Sequence, residues 1–187
     1  MPDTELKATT HVCPWWLCYT FDNPLRRLVH RPEKLLAPYL QEGGTALDVG
    51  CGMGYFSLGM ARLVGSSGRV IAVDLQEKML AVLKRRAARA GLADRILTRR
   101  CAQDSLGAPE PVDFALTFWM AHEAPDVPGL LQELRGWVKP EGRYLLVEPR
   151  WHVPTPDFRR VLEAAQAVGF KLLDRPRVGL SRAALFG

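Results

Sequence analysis

Three glycines at alternate positions, Gly50, Gly52 and Gly54, follow an acid, Asp48, and an apolar run in the stretch ALDVGCGMGYFSLG. Glycine has no Cβ, so the backbone can turn through left-handed conformations and come close to a ligand. The helix that follows offers unpaired amides and a partial positive charge. A second acid, Asp74, ends the next apolar run, VIAVD, where a carboxylate can accept both hydroxyls of a ribose. These residue types point to an adenosine-containing cofactor. The spacing departs from the dinucleotide fingerprint, and no Lys-Ser/Thr follows, which excludes a Walker-type phosphate loop.

Other side chains could handle an acceptor. FWMAHEAPD sets His122 beside Glu123, and either could act as a base. EPRWHVPTPDF carries Glu148, Arg150 and His152; a carboxylate there could meet an amine or a metal. HVCPWWLCYTF supplies Trp15, Trp16, Tyr19 and Phe21 as an apolar, cation-tolerant wall or lid. Each has a structural alternative: a loop-ordering hydrogen bond, a helix cap, a hydrophobic cover. His11, Cys13, Cys18 and His152 could converge as soft ligands for a metal or metalloid. Free cysteines are common core residues, however, and the expectation is no metal.

The elements that must position these residues alternate. Residues 1–40 are rich in Trp, Pro and Arg and read as an aromatic lid with a short helix from Pro32 to about Tyr39. From residue 41, TALDV, GRVIAVD, RILTRR, PVDFALTFW and GRYLLVEP read as strands, with amphipathic helices between them. The helix DVPGLLQELRGWVKP is expected to stop at Pro140 and Gly142. Alternating strands and helices give a parallel sheet covered on both faces. FKLLDR and SRAALFG, joined by a short turn, add an antiparallel hairpin. The expected fold is α/β: a doubly wound, Rossmann-like, seven-stranded sheet in one domain, 41–187, behind the 1–40 segment.

Composition sets the bounds. A chain of 187 residues, 48% hydrophobic and 24% charged, matches one globular domain. No apolar run reaches the ~20 residues of a membrane span, and no signal pattern opens the chain, so a cytoplasmic protein is expected. The formal charge of +5 is modest; arginines such as Arg26, Arg27, Arg99 and Arg100 read as solvated faces. An RNA or anionic surface is the alternative.

LDVGCGMG, VIAVDLQEKML and VKPEGRYLLVEP, in that order, resemble the motifs of class I S-adenosylmethionine-dependent methyltransferases of the UbiE-like, small-molecule branch. The resemblance spans about residues 40–187. It implies that Gly50, Gly52 and Gly54 wrap the methionine moiety, with Asp48 toward its amino group and Cys51 and Tyr55 also binding the cofactor. Asp74 would hold the ribose and Leu75 would pack on the adenine. Ala102 would offer its N–H to that ring. Cys101 stands where the family often has an Asp, so Gln103 or Asp104 would take over that contact. Phe118 and Trp119 would border the sulfonium. The site after the fourth strand reads FWMA rather than Asn/Asp-Pro-Pro-Tyr, which argues against base N-methylation. The expected activity is methyl transfer to a small molecule, leaving S-adenosyl-L-homocysteine, with no membrane partner. The alternatives are an RNA- or protein-modifying enzyme and a non-catalytic cofactor-binding module.

Overall fold

The computed structural model describes residues 26–102, 105–107 and 110–187. His11, Cys13, Trp15, Trp16, Cys18, Tyr19, Phe21, Gln103 and Asp104 lie outside the described residues, and with them most of the expected lid.

Seven strands form one sheet: β1 (Thr45–Val49), β2 (Arg69–Asp74), β3 (Ile96–Arg100), β4 (Val112–Phe118), β5 (Val138–Pro149), β6 (Leu172–Asp174) and β7 (Ser181–Phe186). Their order is β3-β2-β1-β4-β5-β7-β6. The first five run parallel, and β7 lies antiparallel between β5 and β6. The helices are α1 (Arg26–Val29), α2 (Pro32–Leu36), α3 (Tyr55–Leu63), α4 (Glu77–Arg89), α5 (Val127–Trp137) and α6 (Thr155–Ala167), with a 3-10 turn at Ala121–Glu123.

The central strands are continuous apolar runs because both faces are covered. On one face Leu36, Phe56 and Met60 pack against Ala46, Phe114, Leu116 and Val147. On the other, Leu131, Leu134, Phe158 and Leu162 pack against Leu47, Ala115, Tyr144 and Leu146. Leu131 is fully buried, so its burial contributes ~1.5–3 kcal/mol. The chain crosses to opposite sides after β1 and after β4. Their carboxyl ends therefore flank the cleft where open α/β sheets bind ligands. A second cleft, lined by residues including Tyr39, Thr45, Asp113 and Lys139, opens at the other ends of these strands.

Three boundaries differ from expectation. α5 ends at Trp137, three residues before Pro140, because Val138 already pairs with Val112 as the start of β5. The irregularity between Val112 and Phe114 takes up the slack beside Gly142. β6 shrinks to three residues as Phe170 turns into the core, while Lys171 still exchanges backbone hydrogen bonds with Gly187 beyond its start. α2 stops at Leu36, short of Tyr39. No helix among the described residues is long and apolar enough to cross a membrane.

Candidate active site

The loop after β1 is built on left-handed backbone: φ is +66° at Gly50, +53° at Gly52 and +84° at Gly54. At Gly50 a side chain would meet Met120, whose Cγ lies 2.8 Å from the Cβ position. At Gly54 it would strike Leu83 of α4. At Gly52 it would meet nothing within 4 Å among the described residues. Two glycines are therefore required by packing. The third fronts open space that a Cβ would begin to fill, as a cofactor cradle requires.

Asp48 and Ser57 fasten the loop from behind. Ser57 Oγ donates to Asp48 Oδ2 at 2.5 Å, and both residues are buried. Burial pushes the Asp48 carboxyl up to about 7, against the pull of Ser57. Cys51 is buried beside Ala72, Leu80 and Leu83, and burial holds its thiol well above the ordinary range.

Asp74 closes the cradle from the end of β2. Its Oδ2 accepts from the Gly52 N–H and its Oδ1 from the Gln76 N–H, both at 2.9 Å. Burial raises its pKa, and these two amides oppose the rise. Each carboxylate oxygen keeps a further lone pair for a ribose hydroxyl. Leu75 follows, half-buried, with its carbonyl accepting from Arg100. The Cys101 N–H donates to the Asp74 carbonyl, and burial pushes its thiol up to about 11. The Ala102 N–H, expected to face an adenine, donates to the Ser105 carbonyl at 2.9 Å instead. The return of the chain at Ser105 brings an internal acceptor there, which an adenine nitrogen would have to displace.

Phe118 and Trp119 carry β4 into an aromatic wall. Trp119 holds φ +60°, rare for a bulky residue and a mark of local strain. Its N–H donates to the Val147 carbonyl and its indole N–H to Ser181 Oγ. Arg26, read from sequence as a solvated arginine, instead sets its guanidinium 4.6–5.4 Å from the ring centroids of Tyr55, Phe56, Phe118 and Trp119. His30 stands edge-on to Phe118 and Trp119, and its Nε2 bonds the Gly179 carbonyl at 2.7 Å. Tyr55 donates to the His30 carbonyl at 2.6 Å. Sequence reasoning missed His30, since nothing in its neighbours marks it as buried.

Of the four acid–base candidates, three converge. His122 Nδ1 meets Glu148 Oε2 at 2.5 Å, and the His122 ring lies 4.8 Å from that of His152. β4 and β5 pair Phe118 with Val147, so the loops beyond them leave the sheet side by side. Burial works against a charged His122, yet the hydrogen bond and charge of Glu148, with Glu123 adding to them, raise its pKa. Glu123 lies half-buried on the 3-10 turn. Among the described residues, no group of three or more His, Cys, Asp or Glu could hold a metal ion.

Comparison with known proteins identifies the family and the fold. A methyltransferase-domain family model matches residues 46–142. The demethylmenaquinone methyltransferase of Oceanobacillus iheyensis is 30% identical over 118 residues, 63% of this chain and 50% of that protein. That of Halalkalibacterium halodurans is 28% identical over 123 residues, 66% of this chain and 50% of that protein. The chain thus spans about half the length of these curated relatives. A solved S-adenosylmethionine-dependent methyltransferase from Aquifex aeolicus superposes with a TM-score of 0.82 at 25% identity, over 94% of this chain and 98% of that one. Aeropyrum pernix fibrillarin, solved with natively bound S-adenosyl-L-methionine, shares the fold at 15% identity, with a TM-score of 0.63 over 87% of this chain and 71% of that one. With the family model covering just over half of its residues, the chain belongs to the methyltransferase-domain family and has the class I S-adenosylmethionine-dependent fold.

Proposed function

We propose that this protein transfers a methyl group from S-adenosyl-L-methionine to a small-molecule acceptor, leaving S-adenosyl-L-homocysteine. One observation carries the reading: the left-handed Gly52 is tied by its N–H to Asp74, and among the described residues nothing lies within 4 Å on its Cβ side. That is a backbone surface opposite a buried acid, the pairing that a methionine-bearing nucleoside needs. The named activities of the bacterial relatives support a small acceptor.

Bound S-adenosylmethionine would supply a methyl group on a sulfonium, which is already electrophilic. The chain's own contribution is placement and exclusion of water. Gly50, Gly52 and Gly54, with Cys51 and Tyr55 around them, shape the methionine side, and Asp48 supplies the buried acid near its amino group. Asp74 holds the ribose, with Leu75, Cys101 and Ala102 around the base. Phe118 and Trp119 shield the reacting end. Trp15, Trp16 and Tyr19 belong to the acceptor side in this reading. His122, Glu123, Glu148 and His152 are the acid–base groups. The compartment is taken to be the cytoplasm, where Cys51 and Cys101 stay thiols.

The test is titration calorimetry with S-adenosylhomocysteine and S-adenosylmethionine. Micromolar binding of both is expected, with competition between them. If adenosine monophosphate binds as tightly as either, the pocket is a general nucleotide site.

A further inference from the structure

Glu148 has a buried carboxylate oxygen that the fold leaves unused. The residue is 1% exposed. Oε2 engages His122, while Oε1 has no hydrogen-bond partner among the described residues. A buried acceptor left unpaired is costly. Arg182, the cross-strand neighbour of Glu148, does not relieve it. Its guanidinium points to the carbonyls of Arg150 and Val153 and to Thr155 Oγ1. Tyr144, four residues back on the same face, turns its hydroxyl to Thr117. The negative charge of Glu148 is therefore answered mainly through the His122 ring.

The ring sits where a reaction could use it. Nδ1 faces Glu148, so Nε2 is the nitrogen that gains or loses a proton. Two residues earlier on the same loop, Met120 abuts Gly50 of the cofactor loop. On the outer side lies His152, which is exposed, and beside it Trp151, 59% exposed, packs edge-on against Trp119 with centroids 4.9 Å apart. A buried acid thus bonds a half-buried imidazole, whose ring lies 4.8 Å from an exposed imidazole that neighbours the exposed Trp151 in sequence.

We infer that Glu148, His122 and His152 form a proton relay, and that the acceptor is an aromatic hydroxyl whose ring rests on Trp151 while its proton passes to His122 Nε2. The inference rests on the methyl-transfer reading. The acceptor O–H bond breaks, its electron pair stays on oxygen and the proton bonds to Nε2. The new O–CH3 bond forms as the S–CH3 bond breaks, that bond's pair remaining on sulfur. His122 later returns its proton to water by way of His152. His122 is the catalytic residue here, and Glu148 is a positioning residue that holds the tautomer and balances the imidazolium.

The probe is 4-nitrophenol, whose ionised form absorbs apart from its neutral form. It is titrated against the full chain saturated with S-adenosylhomocysteine, at a pH below the phenol's own pKa. Bound phenol is expected to show at least ~10-fold more phenolate than free phenol, the effect of ~1.4 kcal/mol of differential interaction. His122→Gln and Glu148→Gln should abolish that excess and leave S-adenosylhomocysteine affinity within about twofold. If buried Glu148→Gln does not fold, the half-buried His122→Gln still decides the matter. The relay is overturned if the wild-type protein creates no excess phenolate, or if His122→Gln retains it. Failure of S-adenosylhomocysteine to bind wild-type protein is a separate result and overturns the methyl-transfer reading beneath it.

Discussion

The Gly52 N–H donates to Asp74 Oδ2 at 2.9 Å, so the acid at the end of β2 holds the very loop it faces. Residues 22 positions apart thus fix the width of the cradle between β1 and β2. Asp74 orders backbone through Gly52 and Gln76, and in the proposed function the same carboxylate holds the ribose.

Asp74→Ala should lower S-adenosylhomocysteine affinity at least tenfold by calorimetry. Hydrogen bonds to a charged group contribute about 1.5–3 kcal/mol each, and two would be lost. Asp74→Asn keeps an acceptor for one amide and should fall between the two. Equal affinity in all three proteins would place the ribose elsewhere.

Gly50→Ala and Gly52→Ala should separate folding from binding. Both force a Cβ onto left-handed backbone, at roughly 1–2 kcal/mol. At Gly50 the methyl also collides with Met120, so its urea midpoint should drop further. At Gly52 the methyl points into open space, so stability should change less while cofactor affinity collapses. The reverse order would mean that the cradle faces another way.

Asp48 gives stability a pH dependence of definite sign. Its folded pKa of about 7 exceeds the ordinary aspartate value of 3.8. A raised acid stabilises fully below the unfolded value, and that contribution fades as pH rises through the folded one. The wild-type chain should therefore lose on the order of 4 kcal/mol relative to Asp48→Asn between about pH 4 and pH 7. Parallel urea midpoints for the two proteins across that window would contradict it.

His122 acts in a higher window. Its folded pKa lies above 6.5, so pairing with Glu148 stabilises fully below the unfolded value and is lost as pH rises through the folded one. Proton NMR of the imidazole should show this raised titration in the wild type and a lower one in Glu148→Gln. An unchanged His122 titration in that variant would show that Glu148 does not set it.

Much of this was legible in the chain because it is local. The strand, glycine loop and helix at Thr45–Leu63, and the acid ending VIAVD, are each written within a few residues. The terminal antiparallel strands were legible from two apolar runs and a short turn. What escaped is set by register and distance. The junction at Val138 depends on its pairing with Val112, which overrode the stop expected at Pro140. His122 and Glu148 were each visible, but their contact is made by the parallel alignment of β4 with β5. Arg26 looked like surface charge because its aromatic neighbours come from residues 29 to 93 positions away.

The most direct measurement is titration of the wild-type chain with S-adenosylhomocysteine. A cradle of left-handed glycines bonded to Asp74 predicts saturable, one-to-one binding in the micromolar range. A flat thermogram up to millimolar ligand, from protein shown to be folded, would contradict the central claim.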